Sequence, residues 1–311
     1  MSIASLISRV TAPEAIHPDF LEMGAYEALW ERQGATFKTV SEQIERAPSG
    51  RAAELVAPDL AERNAREVLK RLAQAKVADV GLRLFDTPDY PSKLCDARYP
   101  LRAFYYRGDW DLVNTRSVAV VGARQITEEG VARTRRLVRY LVEDGFTIVS
   151  GLAAGTDTVA HTTALEMKGR TIAVLGTPIT ETYPRQNKAL QRDIGDRFLV
   201  ISQVPMLRYA SQDYRRNRLF FPERNITMCA LTDASIIAAI GQSNGSFIQS
   251  KAALDQRRPL FLLNNCFHKE GIDWPHKFAK RGAVRAYEYD DIRSRLMHLI
   301  DKREDDNERV P

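Results

Sequence analysis

From residue 116 onward the chain alternates short apolar runs, rich in β-branched residues, with amphipathic helical stretches, and that alternation leaves few architectures open. The apolar runs fall at 117–121, 146–150, 171–175, 198–203, 235–240 and 259–263. Runs of this kind have no polar face, so as strands they must be covered on both sides, the environment of a parallel sheet. Between the first two, "TEEGVARTRRLVRYLVEDG" sets Val131, Leu137, Val138 and Leu141 at helical spacing, with Thr127 placed to cap the start and Gly145 to stop the end.

The repeated unit of strand, glycine turn and helix predicts an α/β fold: an extended Rossmann-like, mostly parallel sheet with helices on both faces. Residues 1–80 read differently, as helical stretches ("AYEALWERQ", "FKTVSEQIERA", "LAERNAREVLKRLAQAKV") separated by Gly, Pro and Ser, which predicts a small helical N-terminal module. Residues 84–113 hold three prolines and many aromatics and read as an ordered connection wrapped on the next domain. "AVRAYEY" and a last helix within 283–302 complete a domain over 81–303, and 304–311 reads as a frayed tail.

Composition narrows the function classes. No apolar stretch is longer than seven residues, well short of the ~20 that cross a bilayer, and no leader-like segment opens the chain, so a cytoplasmic protein is expected. Cys95, Cys229 and Cys266 are far apart and odd in number, which argues against a disulfide framework or a zinc site and for buried thiols. The net charge of +5 is unevenly spread: 10 basic against 12 acidic side chains in 1–80, 22 against 16 in 81–231, and 13 against 12 in 232–311. Arg133, Arg135, Arg136 and Arg139 read as a solvated helix face. Arg215, Arg216, Arg218 and Arg224 are interleaved with Tyr209, Tyr214, Phe220 and Phe221, a mixture suited to phosphate contact and base stacking.

In a doubly wound sheet ligands bind beyond the carboxyl ends of the strands, where helix N-termini direct free N–H groups outward. Three stretches fall there. "VVGARQIT" offers Gly122 for close backbone approach and Arg124 as a charged fork. "VSGLAAGTDTVAHTTAL" offers Ser150, Gly151 and Gly155 before a helix carrying Asp157 and His161. "GQSNGSFIQSKAAL" offers Ser243, Asn244, Gly245 and Ser246 at another helix start. Each alone suits a tight loop; together they converge on one anionic groove. Asp157 and His161, four apart, suggest a metal pair or an acid–base dyad, or else a loop-holding carboxylate and a buried imidazole satisfying a carbonyl. There is no GxGxxG fingerprint, no GxxxxGK[ST] loop and no nucleophile elbow, so NAD and ATP are not implied and no cofactor or metal is expected.

The motifs "YPSKL", "VAVVGAR", "IVSGLAAGTDTVAH", "TIAVLGT", "YPRQNKAL", "FPERN" and "SNGSFIQSKAAL" occur in the order and rough spacing of the DNA-processing protein A (DprA/Smf) family, within the wider group that holds the LOG nucleotide-processing proteins. The resemblance covers about residues 84–265. It implies a Rossmann domain that binds single-stranded DNA, usually as a homodimer, and helps load a RecA-type recombinase in transformation or recombination. By motif, Arg124 resembles the family's DNA-contacting arginine, Arg185 and Lys188 lie in the segment whose basic residues line the groove, and Ser150, Gly151, Gly155, Arg224 and Asn225 occupy the pocket rim. The chain departs from the family at "AAIGQSNGSFIQSKAALDQRR", where Ala239 and Ile240 replace a Glu-Ala pair and Lys251 stands near an expected arginine. Fewer than 50 residues follow the last predicted sheet run at 259–263, so the winged helix of many members is not expected.

The leading expectation is a non-enzymatic binder of single-stranded DNA, with Arg124, Lys188 and the arginines at 215, 216, 218 and 224 neutralising phosphates. Two alternatives stand beside it. One is a LOG-type nucleotide-processing enzyme or nucleotide sensor, although the Gly-Gly-x-Gly-Thr-x-x-Glu motif of that group is absent and "GQSNGSFIQ" ends in Gln249 where a carboxylate is needed. The other is a component of a mobile-element or defence assembly.

Overall fold

The predicted runs become strands β3 (Ser117–Val121), β4 (Thr147–Ser150), β5 (Thr171–Leu175), β6 (Leu199–Ser202), β7 (Ala234–Ile237) and β8 (Leu260–Leu263), every one buried along its length. Residues 17–308 are described by this computed structural model, apart from 78, 86, 97, 98, 100, 242 and 243. A short edge strand, β9 (Val284–Ala286), follows the predicted "AVRAYEY". In the sheet these strands run parallel, in the order β6-β5-β4-β3-β7-β8-β9.

Pleating sends successive residues of β3 to opposite faces. Val118 and Val120 join a core with Leu137, Val138 and Leu141 of helix α4 (Glu128–Glu143) and with Ile292 and Leu296 of the last helix. Ala119 and Val121 join a second core with Met228 and Leu231 of helix α9 (Phe220–Leu231). Two cores and a two-sided sheet make the fold Rossmann-like, as expected. Helix α4 begins as its sequence predicts, with the Thr127 hydroxyl accepting the Gly130 N–H at 3.2 Å, and the chain leaves it through Gly145 at φ 81°.

The stretch 84–113 is more than a connection. Val80–Leu84 (β1) and Ala103–Gly108 (β2) form an antiparallel extension, β2 pairing with β6 and β1 with β2. The run Phe104-Tyr105-Tyr106 has strong strand propensity, and the prolines that obscure it in the sequence lie in the loop between the two strands.

Helices α1 (Pro18–Glu31), α2 (Phe37–Glu45) and α3 (Pro58–Ala75) cover this end of the sheet. Trp30 of α1 meets Phe37 of α2 at 4.6 Å and Phe220 of α9 at 6.1 Å between ring centroids. Glu27 of α1 is fully buried and reaches further: it accepts the Tyr105 hydroxyl at 2.6 Å and the backbone N–H groups of Met206 and Leu207, both at 3.0 Å, at the start of α7 (Met206–Ser211). Burial pushes its carboxyl above the usual range even so. At the other terminus, the last helix (Tyr289–Glu308) runs on through the start of the expected tail. Cys229 and Cys266 are buried, but Cys95 is exposed, contrary to the reading of all three as buried thiols. Among the described residues no helix is long and apolar enough to cross a membrane.

Candidate functional site

Strand β3 leaves the sheet as Gly122-Ala123-Arg124 and its neighbour β4 as Gly151-Leu152, and the two exits are laced together before helix α5 (Thr156–Glu166) begins. Thr156 donates its N–H at 3.1 Å and its hydroxyl at 3.2 Å to the Ala123 carbonyl. A side chain on Gly122 would meet the Thr156 hydroxyl at 2.3 Å, so its bare backbone serves this packing directly. Gly155, at φ 77°, carries the chain past the Ala123 and Arg124 carbonyls, where a Cβ would sit 2.4 and 2.5 Å away. Ser150 is fully buried and its hydroxyl is spent on the Val120 carbonyl at 2.7 Å.

Beneath the loop 151–155 lies a set of buried polar side chains. The Asp157 carboxylate accepts the Gly151 and Ala153 N–H groups at 3.2 and 3.3 Å. Asn187 donates to the Leu152 carbonyl at 2.9 Å and the Thr158 hydroxyl at 2.8 Å, holding Leu152 at φ 58°, a costly conformation outside glycine. Arg224 comes from α9 and donates to the carbonyls of Gly151 and, at 2.8 Å, Val174. Its Nε donates to Asn225 Oδ1 at 2.9 Å, and Asn225 in turn donates to the Gly245 carbonyl at 3.0 Å, tying in the start of helix α10 (Gly245–Asp255).

Arg224 is 4% exposed, as is Asp157. Burial works against both charges, raising the Asp157 carboxyl and lowering the Arg224 guanidinium, while each partner's charge opposes that trend in the other. Arg224 therefore braces the loop from below rather than presenting a free fork to solvent. His161 is buried beside them with Nδ1 at 2.7 Å from the Thr171 hydroxyl, and burial drops its pKa to about 3, so the imidazole is neutral.

The upper surface is different in character. Arg124 is exposed, its guanidinium 5.9 Å from the Phe221 ring. Phe221 rests over Gly176, just beyond β5, where a Cβ would meet the ring at 2.5 Å, and it contacts the exposed ring of Tyr183 at 5.4 Å. Phe220, one residue earlier, faces the opposite way into the core with Trp30 and Phe37. Arg185 and Lys188 stand exposed at the start of helix α6 (Lys188–Arg197), on either side of buried Asn187.

The third predicted stretch borders the first, since Gly241 would touch Ala123 at 3.1 Å through an added Cβ. Asn244 is exposed at the N-cap of α10, and the buried Ser246 hydroxyl donates to the Ala239 carbonyl at 3.4 Å. Ser243 lies outside the described residues. Lys251 is two turns along α10, paired with Asp255, away from this rim. Arg215 and Arg216, on the short helix α8 (Tyr214–Asn217), and Arg218 just after it are exposed in the segment after β6. That segment packs against α9 through Tyr209, whose ring lies 6.2 Å from that of Phe220. Asn187, Gly176 and Tyr183 escaped the sequence reading as site residues; Asn187 sits inside the quoted "YPRQNKAL", but nothing local marks an asparagine as the support of a loop 35 residues away.

The chain resembles known proteins over the same region. It is 39% identical over 184 residues to the Smf protein of Synechocystis, a match covering 58% of this chain and 45% of that one. The solved structure of DNA processing protein A from Streptococcus pneumoniae superposes with a TM-score of 0.65 at 24% identity, covering 89% of this chain and 95% of that one, and shares its fold. DNA processing protein A from Helicobacter pylori, whose structure was described for its mode of binding single-stranded DNA, matches at 25% identity and TM-score 0.58 over 71% of this chain and 96% of that one. Residues 81–297, which contain the sheet from β2 to β9 and the whole braced rim, match the family model as well, and the chain belongs to the DNA recombination-mediator protein A family.

Proposed function

We propose that the chain binds single-stranded DNA across the carboxyl rim of β3, β4, β5 and β7, without cleaving it. The observation that carries this reading is the exposed guanidinium of Arg124 set over Phe221, itself flanked by exposed Tyr183. A cation beside one half-buried and one exposed ring suits a strand whose phosphates seek charge and whose bases seek a stacking surface. Arg185 and Lys188 extend the positive charge, and Arg215, Arg216 and Arg218 lengthen it toward β6. Gly122, Gly151 and Gly155 let the rim loops close on Thr156, Arg224 and the exit of β3, Asn244 and Gly245 open the start of α10, and Ser150, Arg224, Asn225 and Ser246 hold these loops in place. The likeness to the Helicobacter pylori protein supports the choice of ligand. Within this reading, the chain acts as a homodimer in the cytoplasm and supports the loading of a RecA-type recombinase.

The test is equilibrium binding of a fluorescent oligonucleotide, single- and double-stranded, across a salt series. The expected result is salt-steep binding of the single strand, with log affinity falling by about 0.7 per log salt for each phosphate neutralised, and a large loss in Arg124→Glu whatever the base sequence. Unchanged affinity in that variant overturns the assignment of the rim. No observation favours the nucleotide-hydrolase alternative: Gln249 is fully buried and donates to the Ser235 hydroxyl at 2.8 Å, facing the core.

A further inference from the structure

A cavity of about 390 Å³ opens between the N-terminal helices and the β1–β2 edge, remote in sequence from the DNA rim. Its volume lies in the lower part of the range of roughly 300–1,000 Å³ that holds small ligands. Glu22 of α1, Ile44 of α2, the turn Ser49-Gly50-Arg51, Phe85 and Arg102 line it.

Arg102 is the unusual member. It is 9% exposed, yet among the described residues no carboxylate lies within ion-pair distance of it. Its Nε donates to the Ser41 hydroxyl at 3.2 Å and its Nη2 to the Ser41 carbonyl at 3.4 Å, and its guanidinium lies 4.3 Å from the centre of the Phe85 ring. These contacts fix the plane of the group but leave Nη1 without an acceptor among the described residues. The groups that otherwise face it are the neutral phenols of Tyr26 and Tyr90. Buried charges are ordinarily paired, because an unpaired one is costly.

The carboxylate in the cavity is committed elsewhere. Glu22 accepts the Ala52 and Ala53 N–H groups at 2.7 and 2.9 Å and lies 3.8 Å from Arg51. Among the described residues Arg51 is shared between Glu22 and Asp19, at 3.8 and 3.7 Å, so of the two guanidinium groups in the lining Arg102 is the one without a counter-charge, with a serine at the mouth. We propose that this cavity is a binding site for a small oxyanion, a phosphate or carboxylate group of a free metabolite, held by Arg102 and approached past Ser49 and Arg51. A guanidinium with a fixed plane and unused N–H donors presents the fork that such groups accept.

The experiment follows thermal unfolding of the full chain, and calorimetric titration, with three probes: inorganic phosphate, acetate and adenosine 5′-monophosphate at constant ionic strength. The expected result is a saturable rise in Tm with at least one probe, retained in Arg124→Glu, abolished in Arg102→Leu and weakened in Ser49→Trp, which narrows the mouth without touching Arg102. Phosphate acting alone identifies a phosphoryl site, acetate acting alone a carboxylate site, and a stronger response to the nucleotide a phosphate carried on a larger body. No saturable response to any probe, or an equal response in Arg102→Leu and Ser49→Trp, overturns the proposal. A response lost only in Arg124→Glu places the anion on the DNA rim and overturns it also.

Discussion

Gly151 and Arg224 compete for one volume: the guanidinium donates to the Gly151 carbonyl from a position where a methyl on that same residue would stand 1.7 Å from Nη1. Gly151→Ala must displace the arginine, and Asp157 is then left buried without its counter-charge. The carbonyls of Gly151 and Val174 lose their donor as well, and each buried polar group left unsatisfied costs about 1–3 kcal/mol. Urea denaturation of Gly151→Ala is expected to show a loss of that order, together with loss of single-strand binding. A variant as stable as the parent means that the arginine is not locked in place.

Phe221 and Arg124 make separable contributions. Phe221→Ala is expected to weaken single-strand binding by about 1–3 kcal/mol, the usual worth of one stacked base, with the salt dependence unchanged; Phe221→Trp keeps the affinity. Arg124→Gln is expected to reduce the salt slope. Fluorescence anisotropy at several salt concentrations reads both, and a change of slope in Phe221→Ala contradicts the division of roles.

His161 makes the fold sensitive to acid. Its pKa falls from about 6.5 in the unfolded chain to about 3 when buried, so the unfolded state binds the proton more readily. The stability it contributes is full above pH 6.5 and is lost as pH falls toward 3, at up to ~1.4 kcal/mol per pH unit. Guanidinium unfolding at pH 7.5, 6.0 and 5.0 is expected to show a shallower decline in His161→Gln than in the parent. An identical decline in both shows that this imidazole is not the group responsible.

Glu27 acts with the opposite sign. Its carboxyl is raised by burial, so the folded state holds the proton more tightly, and the stability tied to the protonated form fades as pH climbs above the ordinary carboxylate value. In the range where both groups titrate they offset one another. Glu27→Gln, which keeps the shape and one of the two acceptor oxygens (Oε1 takes Tyr105 and Met206, Oε2 takes Leu207), is expected to make the rise of stability with pH steeper than in the parent, while His161→Gln makes it flatter. Two variants that move together refute the assignment.

The strands that carry the rim were legible because a buried parallel strand must be apolar on both faces, and β3 to β8 are. The loop glycines were legible as places of close approach, but not the identity of what approaches: at Gly151 it is Arg224, and at Gly122 it is Thr156, each from a distant segment. Arg224 read as a phosphate ligand because a cluster of arginines looks uniform in sequence, and only three-dimensional burial separates it from exposed Arg215 and Arg218. Strand β2 was hidden for a local reason, since prolines nearby outweighed the aromatic run that forms it. The support given by Asn187 has no local signature at all.

The carboxylate of Glu27 gives the chain a unit of folding that differs from its unit of kinship. The family match starts at residue 81, yet the amide groups that begin α7 find their acceptor on a helix that ends fifty residues earlier, and Phe220 finds its neighbours there as well. A fragment cut at residue 81 would expose those aromatic surfaces and leave the stretch carrying Arg215, Arg216 and Arg218 without its anchor. Heredity and cooperativity draw their borders in different places here, and the fragment is expected to aggregate or melt well below the full chain.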